Sequence, residues 1–122
     1  MRPRRSSSCT DLFAGIVVSD LALAVDWYTR VLGAEPSFRP DDSEAVWTLD
    51  DHRFVYLKTA QGGPGNSLVT ILIDDLDRFL AAAADRGVTP DDLEDYGGGV
   101  SKAVFHDPDG NEFGVGSVPR DQ

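Results

Sequence analysis

Apolar and polar positions along the chain run through two cycles in the same order: a β-branched run, a helical stretch, then shorter strand-like segments. In the first cycle, Leu12 to Val18 reads as a strand, with Ile16, Val17 and Val18 β-branched and Gly15 permitting a close approach. Ser19 or Asp20 suits an N-cap. Leu21, Val25, Tyr28 and Leu32 then recur at helical spacing, and Trp27 and Val31 widen that face. Gly33 stands where a helix ends in a left-handed residue. Three short strands are expected next, over residues 36–39, 45–49 and 53–59, with Asp50-Asp51-His52 as the turn between the last two.

Residues 61–66, rich in glycine, form the expected linker at the midpoint. The second cycle then restarts with a strand over 67–73, a cap at Asp74 or Asp75, and a helix over 76–86 stopped by Gly87. Leu76, Phe79, Leu80, Ala83 and Ala84 make its apolar face. A short strand at 94–96, a flexible Gly97-Gly98-Gly99 break and a strand over 100–105 follow. Asp107-Pro108-Asp109-Gly110-Asn111 supplies a fixed φ and residues tolerant of positive φ, hence a turn before a last strand over 112–118. Two cycles are too few for a solenoid, so a pseudo-symmetric α+β domain of two βαβββ modules is expected.

Composition narrows the function classes. A chain of 122 residues with 41% hydrophobic residues fits one domain with a real core. No apolar run approaches the roughly 18–20 residues of a membrane helix. Lys and Arg number 11 against 21 Asp and Glu, and the net charge of −10 argues against a grip on nucleic acid or anionic lipid. Cys9 is the single cysteine, which excludes an internal disulfide framework and fits a cytoplasmic setting. The basic start has no apolar run behind it, so residues 1–10 read as a disordered tail and 11–118 as the domain, with modules at about 11–60 and 67–118.

Val18-Ser19-Asp20-Leu21, Trp27-Tyr28-Thr29-Arg30-Val31-Leu32-Gly33, the repeat Ile73-Asp74-Asp75-Leu76 and the late Phe105-His106-Asp107-Pro108-Asp109-Gly110-Asn111 resemble the vicinal oxygen chelate superfamily. That superfamily holds glyoxalase I, extradiol dioxygenases, fosfomycin-resistance enzymes and bleomycin-resistance proteins. The resemblance implies a cup-shaped mixed sheet with helices on its outer face, a ligand inside, and a homodimer. It also implies four ligand positions for a divalent ion, which relatives use as a Lewis acid. Here they carry Phe13, Leu68 and Gly114, with the fourth placed near Tyr56. Such ions need carboxylate or imidazole donors, so no metal or other cofactor is expected.

Period-two alternation then assigns faces. Phe13, Gly15 and Val17 share the cup face, as do Leu68, Thr70 and Leu72, while Ile16, Val18, Val69, Ile71 and Ile73 pack under the helices. Lys102, Val104 and Gly114 fall in the cup, and Phe105 in the core. Phe54 and Tyr56 share a face and are pocket candidates; Trp47 fits either cup or core. The candidate ligand-binding set is therefore Phe13, Gly15, Phe54, Tyr56, Leu68, Thr70, Lys102, Val104 and Gly114. His52 and His106 are expected as exposed turn residues, and Glu112 as a solvated or turn-stabilising carboxylate.

The preferred expectation is a metal-free protein that binds an apolar or aromatic small molecule, by sequestration as in the bleomycin-resistance type. A second is a lyase, isomerase or dioxygenase using a non-standard metal site or acid/base residues among Tyr56, Glu112 and Lys102. A third is a non-catalytic dimerisation or regulatory module.

Overall fold

A computed structural model describes residues 11–60 and 62–119; the tail expected over residues 1–10 lies outside the described residues, as does position 61 of the linker. The first module comprises β1 (Leu12–Val18), α1 (Leu21–Leu32), β2 (Glu44–Asp50) and β3 (Arg53–Thr59). The second comprises β4 (Leu68–Leu72), α2 (Leu76–Asp85), β5 (Asp92–Gly97), β6 (Val100–His106) and β7 (Glu112–Ser117). Asp20 and Asp75 are the N-caps, each accepting at 3.1 Å from a backbone N–H three residues on. Gly33 adopts φ 78° and its N–H returns to the Thr29 carbonyl, closing α1.

The strands form two mixed sheets in the orders β1-β3-β2 and β4-β7-β6-β5. In each, the module's first strand lies parallel to its last, the expected tandem plan. One strand falls short: the segment 36–39 makes a single bridge, Phe38 to Val46. Pro36 has no N–H to donate and Pro40 follows closely, so a ladder has no length in which to grow. Gly97-Gly98-Gly99, expected as a flexible break, is the turn of the β5–β6 hairpin, with φ of 78°, 64° and 83° and Gly97 paired to Val100.

One core serves both modules. Ile16, Val18, Val55 and Leu57 meet α1 from the first sheet, and Ala103, Phe105, Phe113 and Val115 join the same cluster from the second. Helix α1 touches both sheets: Tyr28 sits edge-on to Phe113 at 5.5 Å, and Trp27 to Phe105 at 6.4 Å. Trp47 belongs to this core, its indole N–H donating to the Ala34 carbonyl at 2.7 Å. From the second module, Arg86 donates to the Arg30 carbonyl at 2.6 Å, satisfying an open acceptor at the end of α1.

The 107–111 turn does more than reverse the chain. Asp107 and Asn111 are buried. Asp107 accepts from the Tyr28 hydroxyl (2.8 Å), the Asn111 amide (2.9 Å), and the backbone N–H groups of Asp109 and Asn111 (both 2.9 Å). Asn111 also donates to the Val17 carbonyl and accepts from Ser67 N–H, while Asp109 takes the Ser19 N–H and hydroxyl. The Ser67 hydroxyl oxygen accepts from Val17 N–H at 3.0 Å. The turn is thus a polar clasp that ties β1 and α1 to the second module.

Burial, followed by the neighbouring Asp107 carboxylate, pushes the Tyr28 hydroxyl far above its ordinary value. A raised folded value means that the stabilisation is complete below the unfolded value, about pH 10, and fades as pH climbs above it. Tyr28→Phe is expected to cost about 1–2 kcal/mol at neutral pH. It is also expected to flatten the fall in melting temperature above about pH 10, measured side by side with the wild type.

Candidate functional site

The face of each sheet turned away from the helices carries the candidate residues. On β1 the buried Ile16 and Val18 point to the core, which leaves Phe13, Gly15 and Val17 on the opposite face. Val55 and Leu57 do the same on β3 and leave Phe54 and Tyr56 beside them. The parallel register sets Phe13 next to Phe54 and Gly15 next to Tyr56. Phe13 stacks on Phe54 with centroids 4.3 Å apart, and Tyr56 meets Phe13 edge-on at 6.2 Å. Gly15 makes the arrangement fit, since a Cβ there would lie 2.9 Å from the Tyr56 ring. Phe13 and Tyr56 line an open groove of about 410 Å³ with Phe38, Pro40, Glu44 and Val46.

The second module offers a different surface. Leu68 and Leu72 are 68% and 64% exposed, and Thr70 lies between them. Thr70 pairs with Gly114 across the β4–β7 ladder, and Gly114 pairs with Val104, which is buried. The Lys102 stem lies over Gly114: a Cβ there would stand 2.5 Å from Lys102 Cε, 2.8 Å from Thr70 Oγ1 and 3.4 Å from Lys102 Nζ. Lys102 Nζ sits 3.4 Å from Glu112 Oε2, a half-buried pair.

The candidates therefore gather in two groups, Phe13, Gly15, Phe54 and Tyr56 on one sheet, and Thr70, Lys102, Val104 and Gly114 on the other. Leu68 shares the second face without a ring or polar contact. A cleft of about 560 Å³ opens between the modules, lined by Ala14, Phe54 and Val55 on one side and Val69, Thr70 and Phe79 on the other. Phe54 and Thr70 link it to the two groups.

The remaining titratable candidates do not converge. His52 pairs with Asp11 at 3.2 Å at the β2–β3 turn. His106 is a cross-strand neighbour of Glu112, yet its ring engages Asp91 at 2.9 Å and Glu112 engages Lys102. Asp107 beside it faces the buried clasp, so adjacency in sequence makes no dyad. Val46 and Phe38 join the groove without having been expected there. Val46 was accessible by alternation once Trp47 is fixed in the core; Phe38 lies in an irregular segment that carries no periodic signal.

Residues 11–115 match the sequence profile of the Glyoxalase/Bleomycin resistance protein/Dioxygenase superfamily. The chain belongs to this superfamily. Among solved superfamily structures, a glyoxalase / bleomycin resistance protein from Catenulispora acidiphila is 42% identical, with TM-score 0.86 over 89% of this chain and 98% of that one. TnmS3, an antibiotic binding protein from Streptomyces sp. CB03234, shares the fold at 23% identity and TM-score 0.76, over 94% of this chain and 100% of its own. A lactoylglutathione lyase from Agrobacterium tumefaciens shares it at 17% identity and TM-score 0.71, over 87% and 91%. A comparison with curated proteins finds no match.

The divalent ion used by metal-dependent superfamily members does not fit these residues. Phe13, Leu68 and Gly114 bring no donor atom to the places the resemblance assigns to ligands, and Tyr56 brings one phenol. At Gly114 the space for a carboxylate is filled by the stem of Lys102, whose positive charge opposes a second cation. Among the described residues, no three His, Cys, Asp or Glu side chains are grouped to hold a metal ion.

Proposed function

We propose that the protein binds an aromatic or apolar small molecule, without a metal ion, against the face that carries Phe13, Phe54 and Tyr56. The observation that carries the reading is the stacked Phe13–Phe54 pair with Tyr56 edge-on, left open to solvent where a core pair would be covered: Phe13 is 48% exposed. Aromatic faces held in this way take a planar guest by offset stacking and edge contact. The role is sequestration, and no step of bond chemistry is assigned to the site. TnmS3 offers a precedent for the same fold serving antibiotic binding.

A second copy of the chain is part of the proposal. Phe13, Leu68 and Leu72 lie on faces that a small monomer would leave wet, and exposed apolar area of this kind marks an association surface. In a homodimer these faces would wall the groove and shield the guest. Cytoplasmic residence remains part of the same reading; among the described residues no helix is long and apolar enough to cross a membrane.

The test is isothermal titration of the purified protein with 1-naphthamide, a neutral planar probe, and separately with Mn, Ni, Zn and Fe salts. Saturable binding of the amide is expected, weakened about tenfold by Phe13→Ala, with only a modest fall in melting temperature because Phe13 is half exposed and loses one stacked pair. A divalent ion bound at one per chain, or no heat with the amide, would overturn the reading.

A further inference from the structure

The groove on the first sheet has a third aromatic residue that the stacked set does not use. Phe38 lines it with Phe13 and Tyr56, is half exposed, and makes no ring contact among the described residues. The ladder fixes where it stands. Tyr56 pairs with Val46 across β2 and β3, and Val46 pairs with Phe38, so the three follow one another in a single row. Side chains paired in this way share a face, which puts Tyr56 and Phe38 two strand steps apart, about 10 Å at the backbone. The buried Val46 between them is the floor. The segment that carries Phe38 is held in place. Phe38 and Val46 exchange backbone bonds at 3.4 and 3.0 Å, and Ser37 N–H donates to the same Val46 carbonyl at 2.7 Å. The Ser37 hydroxyl oxygen accepts from Thr48 N–H at 2.9 Å. Pro36 and Pro40 restrict φ on either side, and Asp41 accepts from the Ser43 N–H and hydroxyl just beyond.

We propose that Phe38 is the second wall of this groove and sets its width, so that the ligand is a flat, unsaturated ring system. The proposal rests on the small-molecule reading above and decides between its two ligand chemistries, aromatic and merely apolar. A guest standing on edge above Val46 meets the Tyr56 side chain on one face and the Phe38 ring on the other. Carbon contacts of about 3.5–4.0 Å on both faces need walls roughly 7–8 Å apart, which two strand steps contain. A saturated ring system is puckered and thicker, so it enters only by pushing a wall aside. The anchored segment resists that push, and a wall already in position costs little ordering on binding. Rings on both faces also contribute stacking that a saturated guest, with no π-system, cannot return. Phe13 and Phe54 close one end of the trough, since Phe54 pairs with Phe13 on one side and with Thr48, two residues along β2 from Val46, on the other.

The experiment is isothermal titration of the full chain with 1-naphthamide and with decahydronaphthalene-1-carboxamide, its saturated counterpart on the same carbon skeleton. The wild type, Phe38→Leu and Phe38→Tyr are compared. The wild type is expected to prefer the flat amide about tenfold. Phe38→Leu keeps an apolar side chain without a ring and is expected to reduce that preference to about twofold, whereas Phe38→Tyr keeps it. A wild type without the preference, a Phe38→Leu variant that retains it in full, or a Phe38→Tyr variant that loses it overturns the wall and leaves the small-molecule reading standing. Failure of the wild type to bind either amide overturns that reading, and the wall with it. Melting curves on each variant confirm that a changed preference is not a loss of fold.

Discussion

Asp107→Ala is expected to destabilise the protein by about 3–5 kcal/mol, enough to leave much of the chain unfolded near physiological temperature. The substitution removes the acceptor of four hydrogen bonds at once and replaces it with a methyl group that can accept none. Tyr28 is wholly buried, so its hydroxyl would have no water to turn to, and the Asn111 amide would lose one of its two acceptors. Asp107→Asn should be milder, since an amide oxygen can still accept from one side. Urea denaturation of the three proteins, with tertiary structure followed by near-ultraviolet circular dichroism, gives the comparison. An Asp107→Ala variant within about 1 kcal/mol of the wild type would show that the clasp is not what joins the modules.

Gly15→Val is expected to do the reverse, sparing stability while removing function. Gly15 has an ordinary strand conformation, and a β-branched residue suits a strand, so the backbone accepts the change. Space is the obstacle. The new Cβ would stand 2.9 to 3.0 Å from three atoms at the far end of the Tyr56 side chain, and that ring, only partly buried, can swing away. Its departure breaks the edge contact with Phe13 and spoils the groove. A loss of about thirtyfold in affinity for 1-naphthamide is expected, with stability changed by less than about 1 kcal/mol. Titration and melting curves on the same preparation separate the two effects. Unchanged affinity would mean that the guest does not use the Tyr56 edge.

Much of the fold was legible because its signals are local. Helical spacing from Leu21 to Leu32, capping carboxylates at Asp20 and Asp75, and alternation along β1, β4 and β6 each depend on a few neighbouring residues. The faces assigned to Ile16, Val18, Phe105, Lys102 and Gly114 came from alternation counted outward from the positions that the family resemblance places in the cup. The segment around Phe38 was harder, because two prolines leave no periodic run to read. What stayed hidden required distant partners. Nothing around Tyr28 marks it as a hydrogen-bond donor to a turn 79 residues away. The 107–111 motif advertises a turn, while its second role depends on Val17 and Ser67 arriving beside it. Trp47 could not be assigned without Ala34, whose carbonyl receives its indole. At the candidate site, alternation identified the two rows of side chains, but their separation onto two sheets is a matter of tertiary packing.

The clasp and the shared core make the two modules inseparable in thermodynamic terms. Asn111 of one unit completes the edge strand of the other, Arg86 closes a helix it does not belong to, and Trp27 and Tyr28 pack on strands of the opposite sheet. These interactions are shared between the halves, so opening one exposes the other and unfolding is expected to be a single event. The chain repeats a shape, and its stability is held in common.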